Sequence, residues 1–120
     1  MLFRSAVLRE LREEVEAVSP RVGLLPDYAV FMRVIEAAPA LRSRLWAISQ
    51  EVQAALEQAL REETGAADDD ELPLLMAGQI GWVHGTVMGV IGREMVKGRA
   101  PAEVSREVLA HLPEIGRAHV

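Results

Sequence analysis

Leu8, Leu11, Val15 and Val18 recur at +3, +4 and +3, and Glu10, Glu13, Glu14 and Glu16 mostly lie off that line. The period predicts a helix over 2–18 with one apolar side. Ser19-Pro20 ends it, because the residue before a proline is driven out of the helical region. Residues 20–26, with Pro20, Gly23 and Pro26, read as a short loop. Asp27 offers an N-cap for a second helix over 28–37, with Phe31, Val34 and Ile35 facing inward. Pro39 interrupts, and the third helix, 40–63, carries the clearest pattern. Leu41, Leu45, Ile48, Val52, Leu56 and Leu60 keep helical spacing, while Arg42, Arg44, Gln53, Glu57 and Arg61 occupy other faces. Gly65 is placed as its C-terminal breaker. Asp68-Asp69-Asp70-Glu71 sits where a fourth helix begins, where carboxylates complement the helix dipole. Pro73 is tolerated there because first-turn N–H groups have no helical partner. The fourth helix runs to Lys97 and Gly98 closes it. Pro101 opens a fifth over 101–112, with Val104, Val108, Leu109 and Leu112 as its apolar face. Pro113 and Gly116 mark a frayed tail that includes His119. No strand and no repeat emerges, so the expected fold is a single all-α domain, 1–120, of about five helices.

The fourth helix carries an unusual row. Gly78, Gly81, Gly85, Gly89 and Gly92 are spaced +3, +4, +4 and +3, which gathers them within an arc of roughly 80° on a helix. Each interior glycine costs about 1 kcal/mol relative to alanine, so close packing against the row must offset the loss. Met76, Ile80, Val83, Val87 and Val90 lie opposite and would face the protomer's own core. The row would then face either a second copy of the chain, crossing at the glycines beside the fifth helix, or another helix of its own protomer. No residue between Leu72 and Gly92 carries a formal charge, which is long enough for a membrane span. However, the leucine, isoleucine and valine side chains supply only about −2 to −5 kcal/mol on an insertion scale, and Pro73, Gln79, His84 and the glycines oppose it. A buried helix without a membrane is the expectation.

Composition narrows the chemistry. Half the residues are hydrophobic, a quarter charged, and there is no cysteine, so disulfides and thiolate metal sites are excluded. A net charge of −5 and the lack of a basic run leave nothing to neutralise phosphates, so direct nucleic-acid contact from this segment is not expected. Charges recur from Arg4 onward, which breaks any signal-peptide core and makes the cytoplasm the default. The acidic run lacks the alternating oxygen ligands and turn glycine of a calcium loop. His84, His111 and His119 have no zinc spacing, and no nucleophile–base pair or phosphate loop is present. Neither an enzyme, a cofactor nor a metal site is expected.

The order of elements then acquires a likeness. A short helix ends in Ala-Pro-Ala-Leu-Arg-Ser-Arg (38–44), and a long helix, an acidic start and two final helices follow. The stretch VIEAAPALRSRLWAISQEVQAALEQALREETGAADDDE (34–71) resembles the segment that precedes the dimerising helices of TetR-family transcriptional regulators. The resemblance covers about residues 3–112 and concerns the C-terminal domain of that family. It implies a homodimer in which the last two helices form a four-helix bundle across a two-fold axis, and an apolar effector pocket within each protomer. Residues 38–44 are also similar to a subgroup associated with acyl-CoA-like ligands. No segment of this chain reads as a helix-turn-helix, so DNA contact is carried over to no residue.

On that reading Gly78, Gly81, Trp82, Gly85, Gly89 and Gly92, with Val104, Val108 and Leu112, form the dimer interface. Phe31, Met32, Trp46, Met76, His84 and Met88 are the candidate pocket residues, because methionines and aromatics line adaptable apolar cavities and a lone histidine supplies a polar contact. Plain core packing is the competing role for each. Arg33, Arg42 and Arg44 are either solvated or available to an anionic ligand group. The alternative function is a helical protein–protein interaction module without a small-molecule ligand.

Overall fold

The computed structural model describes residues 2–118, and side chains for residues 6–114; His119 lies outside the described residues. The chain is an all-α helical bundle. Its helices are α1 (Leu2–Glu16), α2 (Tyr28–Ala37), α3 (Pro39–Thr64), α4 (Leu72–Val96) and α5 (Pro101–Ala118), with a single 3₁₀ turn at Pro20–Val22.

The core lies between α1, α4 and α5. Leu11 and Val15 of α1, Val83, Val87, Ile91 and Met95 of α4, and Val104, Val108 and Leu112 of α5 form one buried cluster, which Val22 and Leu24 close from the loop. Each such side chain contributes about 1.5–3 kcal/mol when taken fully out of water. The Ser105 hydroxyl donates to the Val15 carbonyl at 2.6 Å inside this cluster. It ties α5 to the last turn of α1, where helix carbonyls lack intrahelical partners.

The helix ends have local causes. At the C-terminus of α1 the chain turns left-handed at Val18, φ 51°. There the Val18 N–H donates to the Val15 carbonyl and the Ser19 N–H to the Glu14 carbonyl, a Schellman pattern. A β-branched residue is strained in that region, and packing of Val18 against the core offsets the strain. Asp27 precedes α2 as expected but makes no side-chain cap. Pro39 starts α3 rather than interrupting it, since a first-turn proline needs no donor. Gly65 ends α3 at φ 65°. Arg61 then holds the α3–α4 loop, donating to the carbonyls of Ala67 at 2.6 Å and Asp70 at 2.9 Å. The Asp70 carboxylate accepts from the Leu72 N–H at 2.9 Å, so one member of the acidic run does serve the start of α4. Pro113, expected to end α5, lies inside it.

The second departure concerns α2 and α3. Phe31 and Val34, expected inward, are exposed, and only Ile35 of α2 is buried. Of the α3 row only Leu60 is buried and Leu56 half-buried, whereas Leu41, Leu45, Ile48 and Val52 face solvent. Helical spacing defines a common side but supplies no neighbour to cover it, and α1 reaches only the C-terminal half of α3. The shape follows: the molecule measures 47 × 35 × 21 Å with a radius of gyration of 15.8 Å, against about 14 Å for a compact domain of this length.

Candidate functional site

The glycine row divides in two. Gly92 is buried, and a Cβ there would meet the Tyr28 hydroxyl oxygen at 2.5 Å and Cζ at 3.2 Å. The Tyr28 ring also lies against Gly23, whose φ of 93° favours glycine in its own right. At Gly81 a Cβ would stand 2.7 Å from Gln53 Oε1 of α3. These two glycines therefore let the α2–α3 arm close onto α4 within one chain. Gly78, Gly85 and Gly89 are different: nothing lies within 4 Å of a Cβ at any of them, and all three are exposed.

Around the three open glycines the α4 surface is apolar. Leu74, Leu75, Trp82 and Val96 are exposed on the same side, Leu75 to 60%, opposite the buried Val83, Val87, Ile91 and Met95. Among the described residues, α4 is the one helix long and apolar enough to cross a membrane.

Val104, Val108 and Leu112 take no part in this surface. They are essentially inaccessible, within the protomer's own core, which corrects their assignment to a dimer interface. The outer side of α5 is instead charged. Arg99, in the α4–α5 turn, binds Glu94 at 2.7 Å, Glu103 at 2.6 Å and Glu107 at 2.5 Å. Hydrogen bonds from Lys97 and then Arg99 hold the Glu94 carboxyl below its ordinary range. Those from Arg99 to Glu103, Glu107 and Glu94 bind the guanidinium proton more firmly still. A seam built jointly from α4 and α5 is thus replaced by one apolar face on α4 beside a charged turn.

A second feature lies on the other side of the bundle. α1, α3 and α4 enclose a cleft of about 440 Å³. Val7, Leu11, Val22, Leu56 and Ile80 supply apolar walls, and Glu10, Glu14, Arg21 and His84 supply polar groups. Glu14 is the notable one. Its Oε2 is buried without a hydrogen-bond partner, and its Oε1 is 3.7 Å from the largely exposed Arg21 guanidinium, too far for a hydrogen bond. Leaving a buried acceptor unsatisfied costs about 1–3 kcal/mol, and more when charged.

Only His84 of the expected pocket residues lines this cleft. Phe31 and Trp46 are exposed, Trp46 to 68%, Met88 is exposed at its margin, and Met32 and Met76 are half-buried. They sit on separate faces of α2, α3 and α4 and are not brought into the cleft. Arg33, Arg42 and Arg44 are exposed outside its lining. Glu14 was legible in part, since Val7, Leu11 and Glu14 follow one another at +4 and +3 and so place a carboxylate on the flank of an apolar side. Nothing in the periodicity signalled that Tyr28 would meet Gly92. Among the described residues no group of three or more His, Asp or Glu could hold a metal ion.

Comparisons with protein-family models, with curated proteins and with solved structures find no match to this chain.

Proposed function

We propose that this chain is a ligand-binding and dimerisation domain of the TetR-like regulator type, pairing through α4 and receiving a small, largely apolar effector in the α1–α3–α4 cleft. One observation carries the reading: three helical glycines, each costing about 1 kcal/mol, have open space over them on an apolar face. No contact within the chain offsets that loss. A second α4 crossing at Gly78, Gly85 and Gly89 would do so, because backbones without side chains approach closely and a two-fold axis makes the same face complementary to itself. The cleft, of a size common for small-molecule sites, supports the effector part. Binding there would act by favouring one of two dimer geometries. An acyl-type effector is the weaker choice, because its anionic end would enter beside Glu10 and Glu14.

The competing reading is an interaction module without a small ligand. The uncovered row Leu41, Leu45, Ile48 and Val52 of α3, with Phe31 and Val34 of α2, favours it, since adjoining exposed apolar side chains commonly mark contact surfaces.

Native mass spectrometry of protein purified from cells tests both halves together. The wild-type chain is expected at the dimer mass with a small molecule retained. Gly85→Leu is expected as a helical monomer, because its side chain projects where nothing within the chain obstructs it. A Gly85→Leu chain as dimeric as wild type would sink pairing through α4. A wild-type dimer that never carries a small molecule would favour the interaction module.

A further inference from the structure

The chemistry of the cleft is more specific than its volume. The proposal that follows rests on the ligand-binding reading above and goes on to name the ligand's class. Apolar walls from Leu11, Leu56 and Ile80 meet two carboxylates one helical turn apart on α1, Glu10 and Glu14. Glu14 Oε2 is removed from solvent and accepts no hydrogen bond, and the one cation nearby, Arg21, approaches only the other oxygen, at 3.7 Å. A buried carboxylate oxygen calls for a donor, and a charged donor is the strongest. An anionic ligand would face two negative charges. A wholly apolar ligand would cover the carboxylate and leave it unsatisfied.

We propose that the cleft takes an apolar molecule ending in a protonated amine, with the ammonium donating to Glu14 Oε2 and lying in the negative field of Glu10. The hydrocarbon body lies against Leu11, Leu56 and Ile80, and His84 borders it from α4. No bond is made or broken; this is recognition by charge pairing at the mouth of an apolar slot.

Isothermal titration at pH 7 with n-decylamine, n-decanol and n-decanoate, each kept below its aggregation threshold, separates the possibilities. Decylamine is expected to bind the wild-type chain about tenfold or more tightly than either of the others, the scale of a charge-assisted hydrogen bond. Glu14→Gln, nearly isosteric, is expected to bring decylamine to the level of decanol and leave decanol unchanged. Glu16→Gln, a carboxylate outside the cleft and paired with Arg12, is expected to change nothing, which controls for the chain's overall negative charge. Leu56→Trp, its helicity checked by circular dichroism, is expected to abolish binding of all three by filling the slot. Decanoate binding as tightly as decylamine, or a Glu14→Gln chain that keeps full decylamine affinity, overturns the amine assignment and leaves the ligand cleft standing. No binding by any probe, or binding indifferent to Leu56→Trp, overturns the cleft itself and the assignment with it.

Discussion

Gly85 and Gly92 stand two turns apart on one helix, yet their surroundings are opposite. Gly92 is closed over by the Tyr28 ring, so its missing side chain is used within the chain. Gly85 has nothing within 4 Å, and the conformational freedom it surrenders on folding is returned by no neighbour. The contrast extends to the regions around them. Around Gly92 the α1–α4–α5 core is finished, with Val15, Val87, Ile91 and Val104 all fully buried. Around Gly85 an apolar face lies open. A row that is uniform in sequence thus serves two purposes: half of it folds the protomer, and the other half is available to a partner.

The largest test of that contrast is one substitution made at both places. Gly92→Leu is expected to lose about 1–3 kcal/mol, the usual range for overpacking, because its side chain would occupy the space of the Tyr28 ring. Urea denaturation reads the loss, and adding Tyr28→Ala should recover part of it. Equal stability of Gly92→Leu and wild type would mean the Tyr28 contact is not what closes that end.

The opposite sign, and a smaller effect, is expected at the open glycine. Gly85→Leu should raise the unfolding free energy by up to about 1 kcal/mol through helix propensity alone. The measurement belongs at low protein concentration, where association does not contribute to stability. Destabilisation there would show that Gly85 is needed inside the protomer after all.

The smallest effect concerns the charged turn that borders the open face. Glu94 is held below its ordinary value of 4.5 by Lys97 and Arg99. A carboxyl lowered on folding contributes stability that is fully present above that ordinary value and is lost as the pH falls through the lowered one. Thermal unfolding followed from neutral to strongly acid pH should therefore show a decline that begins below about pH 4.5 and is shallower in Glu94→Gln. Amide exchange should locate the first loosening at residues 97–104 rather than along 78–89. An acid profile identical in the two proteins would remove the Arg99 cluster from the account of the closed end.

Much of the fold was legible because helices are written locally. Leu11 and Val15, Val83 and Val87, and Val104, Val108 and Leu112 are buried as their spacing implied, and Gly65 and Gly98 take the left-handed conformation that ends a helix. The candidate site was much less legible. Phe31, Trp46 and Met88 were candidates by residue type, but residue type says nothing about which faces of different helices come to surround one space. Glu14 entered the cleft because α1 crosses α4 where Leu56 and Ile80 also converge. That crossing is a contact between residues far apart in the chain, and a period of 3.6 carries no information about it.

The sequence by itself determined the all-α class, most of the helix ends and the existence of a glycine row, since these follow from backbone sterics, capping chemistry and the repeat of the helix. Only the tertiary structure decided that Gly81 and Gly92 close onto Gln53 and Tyr28 while Gly78, Gly85 and Gly89 stay open. It also committed Val104, Val108 and Leu112 to the protomer's core and left Glu14 with an unsatisfied oxygen in an apolar cleft. The physical reason is the same in each case: helical spacing says which side chains point the same way, and only the packing of whole helices says what stands opposite them.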